Sequence, residues 1–225
     1  MRNEFQPPQS SEDVAIRSQM ERMVGSYDSY MKLVTLGRER ALRRETLEHA
    51  RLEPGESFLE VGCGTGTLTI AARQLVGPGG SAAGIDAIPA MIELSRRKAT
   101  RAGVDIEFRP GSIDALPFAD HRFDVVAGSF MIFHMSDPVR RNGIREIRRV
   151  LRPGGRVLFL DMTEPAGGLA RKVARRLFGG MLEHDLRELE PVLTESGFSD
   201  VTFGRARFRV MGLSVVGFIR GRVAA

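Results

Sequence analysis

The chain has 225 residues, a length that favours one domain with an extension. Hydrophobic residues make up 42% and charged residues 27% of it, a balance typical of globular proteins and unlike that of disordered ones. No apolar stretch approaches the ~20 residues that a membrane span needs, and the N-terminal segment lacks the apolar part of a secretory signal. Cys63 is the single cysteine, so an internal disulfide and a cysteine-based zinc site are excluded. We expect no metal and a cytoplasmic protein.

The formal net charge is +5, from 33 basic and 28 acidic residues. From Val201 to the C-terminus there are five arginines and no acidic residue. Such a stretch suits an anionic lipid surface or an acidic substrate, so peripheral membrane contact is a candidate, although a solvated basic surface is the simpler explanation. Tryptophan is absent and only two tyrosines occur. Basic and aromatic residues therefore do not alternate as in nucleic-acid-binding surfaces, and we expect no nucleic-acid partner.

The first fifty residues divide into a tail and a helical segment. Residues 1–13 are polar and contain two prolines, which predicts a disordered tail. Residues 14–50 are mostly helical in pattern, with a break at Gly25 and a second helical run from about Arg38 to Ala50. Pro54-Gly55 ends this segment, which we interpret as a helical cap on the rest of the protein.

After residue 55, short apolar strands alternate with helical segments. The predicted strands are Ser57–Val61, Ala82–Ile85, Ile106–Arg109, Phe123–Ser129 and Arg156–Leu160, and the predicted helices are Thr67–Val76, Pro89–Ala102 and Asp137–Leu151. Strands and helices that alternate at this pitch form βαβ units, and nearly continuous apolar strands are typical of a parallel sheet covered on both faces. We therefore predict a single domain over residues 14–225 with a doubly wound α/β fold and a mostly parallel sheet of about seven strands.

The alternation loosens after Asp161. The predicted helices there are Leu169–Phe178 and Leu182–Ser196, and the predicted closing strands are Val201–Phe203 and Phe208–Phe218. Leu169, Val173 and Leu177 share one face of the first helix, with basic residues largely opposite, which indicates an amphipathic basic helix or a solvated lid helix. We interpret residues 163–225 as a lid over the substrate together with the closing strands.

The strongest motif is Glu60-Val-Gly62-Cys-Gly64-Thr-Gly66, where a predicted strand runs into a glycine-rich turn that opens a helix. Glycine at alternate positions lets the backbone turn tightly and lets a ligand lie against it with no Cβ between them. The N-terminus of the helix offers free N–H groups and a partial positive charge to a carboxylate or phosphate. Asp86 ends the second predicted strand, where an acid can accept hydrogen bonds from ribose hydroxyls.

The spacing G-x-G-x-G, with Glu60 two residues before the first glycine, differs from the G-x-G-x-x-G of dinucleotide-binding turns. It resembles motif I of the class I S-adenosylmethionine (SAM) dependent methyltransferases. The stretches from Gly111 to Phe118, from Phe123 to Val126 and from Arg149 to Gly155 are similar to further landmarks of that family. The resemblance covers about residues 55–162 and implies that they form a SAM-binding core. The cofactor-binding residues that it implies in the first part of this core are Glu60, Gly62, Gly64, Gly66 and Asp86.

The resemblance also implies how the adenine is held. In the family, the acid after the glycine of a G-D-A-x-x-L-P-F stretch, and the backbone N–H that follows, address the adenine. Here Ser112 stands in place of the acid and Ile113 supplies the N–H, while Asp114 is an alternative acid two residues on. Met91 stands where an apolar residue flanks the adenine, with ordinary helix packing as the alternative. We include Ser129, at the end of the fourth predicted strand, among the cofactor-binding residues.

The N-terminal segment from Tyr27-Asp28 to Gly37 resembles the Y-D-x-x-x-x-x-x-x-x-G opening of the quinone-ring C-methyltransferases of ubiquinone and menaquinone biosynthesis. It is also similar to soluble bacterial phospholipid N-methyltransferases and to many natural-product enzymes. The resemblance implies a small-molecule or lipid-like acceptor rather than a protein or nucleic acid. Among these acceptors we favour a quinol or phenol.

Two residues are candidates for a direct role in the reaction. His134 follows the fourth predicted strand, and ligands of open α/β sheets bind beyond the carboxyl ends of the strands. Histidine titrates near neutrality, so His134 is a candidate general base, with a structural histidine at a strand-to-helix turn as an equal alternative. Tyr27 is a candidate for capping the cofactor or orienting the acceptor, or else it packs the N-terminal helix. His184 and Asp185, in the predicted lid, are weaker candidates.

Two other functions stay open at this point. A protein of this fold could bind SAM as a regulator or partner subunit without transferring a methyl group, and formation of S-adenosylhomocysteine with any acceptor would exclude it. A nicotinamide-dependent oxidoreductase is the second alternative. The spacing of the glycine turn and the Leu116-Pro117-Phe118 segment count against it, and titration with NAD and with SAM would distinguish the two.

Overall fold

The computed structural model describes residues 18, 21–182 and 184–224 of the chain. The predicted tail over residues 1–13 lies outside these residues, as do Val14, Ile16 and Met20 of the first helical segment. The division of the chain into tail, cap, core and lid therefore stays a prediction. In the part that is described, no helix combines the length and hydrophobicity needed to cross a bilayer.

The order of elements follows the predicted alternation. The α-helices are α1 (Tyr27–Val34), α2 (Glu39–Ala50), α3 (Thr67–Val76), α4 (Pro89–Ala102), α5 (Asp137–Val150), α6 (Gly168–Phe178) and α7 (Leu189–Glu195). The strands are β1 (Ser57–Val61), β2 (Ser81–Asp86), β3 (Glu107–Pro110), β4 (Phe123–Ser129), β5 (Leu151–Met162), β6 (Phe198–Arg205) and β7 (Val216–Val223). Two 3-10 turns, Gly179–Leu182 and Leu186–Glu188, lie between α6 and α7.

The strands form one sheet in the order β3-β2-β1-β4-β5-β7-β6. Strands β1 to β5 run parallel, and β7 is antiparallel to both of its neighbours. The order reverses between β1 and β4, so the loops that follow these two strands diverge and leave a crevice at their carboxyl ends. The predicted doubly wound, mostly parallel seven-stranded sheet with an N-terminal helical cap is confirmed.

Apolar side chains cover both faces of the sheet. Phe58 and Leu59 are adjacent in β1 and point to opposite faces, as alternate positions of a strand must. Leu59 packs in a cluster with Ile144 of α5, and Phe58 packs in another with Leu68 of α3. Because both faces are buried, the strands are apolar almost throughout, and each fully buried large side chain contributes about 1.5–3 kcal/mol to stability.

The predicted helix Leu182–Ser196 is wrong in its first half. Asp185 accepts the backbone N–H of Arg187 at 2.9 Å, and Glu188 accepts that of Asp185 at 3.0 Å. This capping box starts a new turn at Leu186. The helix therefore begins only at Leu189, and Asp185 has a structural role at its entrance.

The predicted closing strand Phe208–Phe218 is also wrong over most of its length, since β7 begins only at Val216. Val210 and Leu213 bridge each other across a turn in which Met211 and Gly212 both have positive φ, 50° and 80°. Phe208 is buried in a cluster at the end of the sheet and does not extend it. Phe208, Val210 and Val215 thus fill a cluster, which the sequence pattern alone does not distinguish from a strand.

Candidate functional site

The glycine turn after β1 is the centre of the candidate site. Gly62, Gly64 and Gly66 all have positive φ, at 64°, 51° and 76°, a conformation that side chains disfavour. A Cβ on Gly62 would lie 3.0 Å from Met131, and one on Gly66 would lie 2.8 Å from atoms of two core side chains. A Cβ on Gly64 would meet only the ring of Tyr27, at 3.8 Å. Gly62 and Gly66 therefore allow close packing, whereas Gly64 presents bare backbone to the crevice.

Asp86 at the end of β2 is tied to this turn. Its Oδ2 accepts the backbone N–H of Gly64 at 2.8 Å, and its Oδ1 accepts that of Ile88 at 2.9 Å. A carboxylate accepts through both of its oxygens, and these two bonds fix its orientation at the edge of the turn. The N–H of Gly111 donates to the backbone oxygen of Asp86 at 3.0 Å, which brings the turn before Ser112 beside it.

Helix α1 is held over the glycine turn by an ion pair and its hydrogen bonds. Lys98 of α4 donates to Asp28 at 3.0 Å, to Thr65 at 2.9 Å and to Thr67 at 2.8 Å. Thr65 in turn donates to Asp28 at 2.7 Å. Partial burial raises the pKa of Asp28, but the hydrogen bonds from Thr65 and Lys98 outweigh it and hold that pKa below its usual value. Helix α1 is thereby fixed with Tyr27 facing Gly64.

Tyr27 is half-buried against the turn. Burial raises the pKa of its hydroxyl, and the charge of Arg43 lowers that pKa. The negative charges of Glu60 and Asp86 raise it further. Tyr27 therefore stays a neutral phenol near neutral pH. The structure thus brings together four of the residues that the sequence singled out: Tyr27, Glu60, Gly64 and Asp86.

Arg43 of α2 is a buried cation in this crevice, and the sequence analysis missed it. Its Nη1 donates to Ser129 Oγ at 3.1 Å and its Nη2 to Glu39 at 3.2 Å, while its Nε is buried and has no hydrogen-bond partner among the described residues. One feature of the sequence does point to Arg43. It lies one helical turn before Leu47 on the inward-facing side of α2, where an arginine is unusual.

Glu60 is also buried, one residue before the end of β1. Burial raises its pKa to about 7, while the charge of Arg43 and a hydrogen bond from Thr69 act in the opposite direction. Thr69 Oγ1 donates to Glu60 Oε2. A carboxyl group with a pKa near 7 becomes fully ionised when a cation binds next to it, because the cation lowers that pKa.

The turn after β4 forms the opposite wall of the crevice. It begins at Phe130, whose φ is 55° although it is not glycine. Met131 follows and contacts Gly62, and the N–H of His134 donates to the backbone oxygen of Met131 at 3.1 Å. Positive φ at a bulky residue costs about 1–3 kcal/mol and is often found at functional sites. This turn places His134 at the carboxyl end of the sheet, in the loop that packs on the glycine turn through Met131.

A second histidine lies close to His134. His184 stacks on Phe133, with ring centroids 4.9 Å apart, and its Nδ1 is 3.6 Å from Glu188. Desolvation by the surrounding chain lowers the pKa of His134, and the charge of His184 lowers it further. Part of the His134 side chain is nevertheless open to solvent. His134 is therefore neutral at pH 7 and able to accept a proton.

The residues predicted to address adenine lie near the end of β3. Ser112 Oγ donates to Asp114, so the two alternatives for the adenine contact act as one hydrogen-bonded pair. The side chain of Ile113 is buried in the core against Gly143, which leaves its backbone for any ligand contact. Met91 is almost completely buried in α4. Its contact with adenine, like those of Ser112 and Ile113, stays a prediction.

Asp161 near the end of β5 is a further buried acid that the sequence analysis did not single out. Its Oδ1 accepts the backbone N–H of Met162 at 2.7 Å, and its Oδ2 has no hydrogen-bond partner among the described residues. Burial raises its pKa to about 7, against the effect of backbone N–H groups at Ile132 and Met131. Asp161 therefore supports the turn that carries His134.

The arrangement suits a zwitterionic ligand with attached hydroxyl groups. It combines the exposed backbone of Gly64 and the buried guanidinium of Arg43 with two carboxyl groups. These are Glu60, whose pKa is raised, and Asp86, which the turn holds in place. Within the described ranges no group of three or more His, Cys, Asp and Glu side chains is placed to hold a metal ion.

Known proteins with related sequences decide the family. Residues 58–155 match the family model described as a methyltransferase domain. The demethylmenaquinone methyltransferase of Bacillus cytotoxicus is 32% identical over 158 residues, which cover 70% of this chain and 66% of that protein. The ubiquinone/menaquinone biosynthesis C-methyltransferase UbiE of Hahella chejuensis is 31% identical over 169 residues, which cover 74% of this chain and 67% of that protein. The chain belongs to the SAM-dependent methyltransferases.

This membership confirms the resemblance seen in the sequence, makes SAM the cofactor and excludes the nicotinamide-dependent oxidoreductase. The chain matches about two thirds of the length of the two relatives. Among solved structures, the [4+2]-cyclase SpnF superposes with a TM-score of 0.75 at 18% identity over 100% of both chains. A SAM-dependent methyltransferase from Aquifex aeolicus superposes with a TM-score of 0.65 at 19% identity, over 91% of this chain and 98% of that one. Such distant neighbours show the fold alone.

The residues of the crevice fit SAM. The methionine part of the cofactor carries a carboxylate and an ammonium group, and the crevice holds the buried guanidinium of Arg43 near the carboxyl group of Glu60. The ribose carries hydroxyl donors, and Asp86 is an oriented acceptor. Gly64 leaves open the space that a Cβ would fill.

Proposed function

We propose that this methyltransferase transfers the methyl group of SAM to a small-molecule acceptor of the quinol or phenol type. The observation that carries the proposal is the meeting, at one end of the sheet, of the glycine turn under Tyr27 and the turn that carries a neutral His134. Relatives named as demethylmenaquinone and ubiquinone/menaquinone methyltransferases support this class of acceptor.

In the proposed binding mode, the methionine part of SAM lies against the glycine turn and beside Tyr27, and Asp86 accepts from the ribose. Met91, Ser112 and the backbone of Ile113 border the adenine. Gly62 and Gly66 are proposed to serve the same site by giving the turn its backbone conformation.

Arg43 is proposed to receive the carboxylate of SAM. Its guanidinium is buried, so a pair with a carboxylate there is worth more than at the surface, and its Nε has an unused donor. The hydrogen bond to Ser129 fixes the orientation of the group. Glu60 is the matching partner for the ammonium group, which would stabilise its ionised form.

SAM supplies a methyl group that its sulfonium already activates. The protein's own part is to align the acceptor, exclude water and remove a proton. Tyr27 covers the turn, and the ion pair between Asp28 and Lys98 keeps it there. A phenol or quinol must lose its hydroxyl proton before or during attack, and His134 is proposed to accept that proton.

Gly64→Val should abolish SAM binding, because a branched side chain beside Tyr27 would intrude where the cofactor and the backbone of the turn must approach closely. Gly103→Val is the matched control: Gly103 also has positive φ, 67°, and its Cβ would meet nothing within 4 Å. Both variants carry backbone strain of about 1–3 kcal/mol, but calorimetric titration should show normal SAM affinity for the control alone. Unchanged affinity in folded Gly64→Val would place the cofactor elsewhere.

Arg43→Gln should weaken SAM by about tenfold or more, the scale of a hydrogen bond to a charged group. The affinity for methylthioadenosine, which lacks the carboxylate, should change little. Arg44→Gln, on the exposed side of the same helix with 78% of its side chain accessible, is the control. An equal loss for both ligands would mean that Arg43 supports the fold and does not bind the carboxylate.

His134→Ala should lower kcat by about 10²–10⁴ with SAM affinity nearly unchanged. In the wild type, the rate should fall on acidification through the pKa of His134, which lies below the ordinary value of about 6.5. His184→Gln removes a charge that lowers this pKa, so the acid limb should move to higher pH. A near-normal rate for His134→Ala with an unshifted pH profile would favour an acceptor that needs no base.

The proposed acceptor class is tested by incubating the protein with methyl-labelled SAM and a panel of demethylated quinols, simple phenols and primary amines. We expect label in a quinol or phenol, with one S-adenosylhomocysteine formed for each methyl transferred. Label only in amines would contradict the acceptor class. SAM binding without S-adenosylhomocysteine, even with a cell extract as the source of acceptors, would favour the regulator or partner subunit.

A further inference from the structure

Most of the exposed large apolar side chains in the described part of the chain belong to segments that pack on one another. Among the described residues, the exposed ones are Tyr30, Leu33, Leu36, Leu75, Leu169, Val173, Leu177 and Met211. All except Leu75 belong to three segments: α1 with the turn after it, α6, and the turn between Val210 and Leu213. We call the exposed side of these three segments the mouth surface.

The three segments are neighbours at the carboxyl end of the sheet. Val34 of α1, Phe178 of α6 and Val210 pack in one cluster with Leu160 and Met162 of β5. Helix α1 also covers the glycine turn through Tyr27. The mouth surface therefore adjoins the opening of the crevice that is proposed to bind the cofactor and the acceptor.

Two of the exposed residues occupy strained backbone positions. Leu36 follows the last turn of α1 with a φ of 50°, and the N–H of Gly37 closes the helix on Lys32 O at 2.7 Å. Glycine or asparagine is the usual residue at that position of a helix end. Met211 also has a φ of 50° and precedes Gly212 in a two-residue turn with positive φ at both positions, where asparagine or glycine is preferred.

These two residues are costly and bury little within the chain. A left-handed conformation costs a bulky residue about 1–2 kcal/mol, and Leu36 and Met211 are 64% and 54% exposed. Such a departure from local preference is typical of a functional surface. Apolar tips on tight turns are suited to enter an apolar phase.

Helix α6 adds an apolar stripe with a basic border. Leu169, Val173 and Leu177 recur every four residues and are exposed along one side, and Leu169 is 78% accessible. Lys172 and Arg176 border this stripe, whereas Arg171 and Arg175 lie further round the helix and pair with Glu164; the helix itself contains no acidic residue. This pattern is typical of helices that lie in the interface of a membrane with anionic lipids.

We propose that the mouth surface docks on an anionic lipid bilayer, with Leu36, Met211 and the α6 stripe entering the interface. Lys172 and Arg176 then face lipid phosphates, which is a complementary contact. Pairing of the mouth surface with the same surface of a second copy would instead bring Lys172 and Arg176 of each α6 against their equals, because a two-fold contact is self-complementary. Docking needs neither SAM nor acceptor, so its test is independent of the proposed methyl transfer.

The full-length protein is mixed with phosphatidylcholine vesicles, with or without phosphatidylglycerol, and the bound fraction is measured by flotation. We expect binding to the anionic vesicles, and weaker binding to the neutral ones and at high salt. Leu36→Asn with Met211→Asn should reduce binding by about tenfold or more, since each buried apolar side chain contributes about 1.5–3 kcal/mol.

Asparagine tolerates positive φ, so this double variant should unfold at or above the wild-type temperature, and lost binding cannot be ascribed to lost fold. Leu75→Gln, which changes the exposed apolar residue outside the mouth surface, should bind like the wild type. Wild-type protein that stays unbound, or a double variant that binds as well as the wild type, would overturn the proposal. So would a dimer in light scattering that the double variant dissociates, because the surface would then meet a second copy.

Discussion

The site depends on a backbone constraint in the turn after β1, where three glycines at alternate positions adopt positive φ. Only this conformation lets the chain leave the buried strand, pack closely against Met131 and Phe108, and present bare peptide at Gly64. The amide of Gly64 then reaches Asp86 on the neighbouring strand, so the turn and the proposed ribose acceptor are fixed relative to each other. Rigidity of this kind reduces the entropy lost when a ligand is ordered.

Buried charge is the second determinant of the crevice. Burying Arg43 beside Glu60 is costly, because each ion loses its hydration, and a pair in the interior adds little net stability. The arrangement is better explained by ligand binding than by folding, because a zwitterionic ligand would form an ion pair with each of the two groups. Arg43 also links the helical cap to the sheet through Ser129. In the proposed binding mode, cofactor binding and the position of the cap are thereby coupled.

The core could be predicted from the sequence, and the periphery could not. β4 has its predicted bounds, Phe123–Ser129, because buried strands and the glycines and prolines between elements leave local signals. The segment after Asp161 lacks such local signals. The capping box at Asp185 and the turn at Met211 depend on hydrogen bonds and packing that the hydrophobic pattern of the sequence does not reveal. Arg43 was missed for the same reason, because its role appears only when α2 is laid against β4.

A crystal structure of the protein with S-adenosylhomocysteine would test the account most directly, because it locates each part of the cofactor at once. We expect the homocysteine part against the glycine turn and beside Tyr27, its carboxylate within hydrogen-bond distance of Arg43, and the ribose hydroxyls on Asp86. A ligand bound away from the glycine turn, or one whose carboxylate points to solvent while Arg43 keeps its present partners, would contradict it.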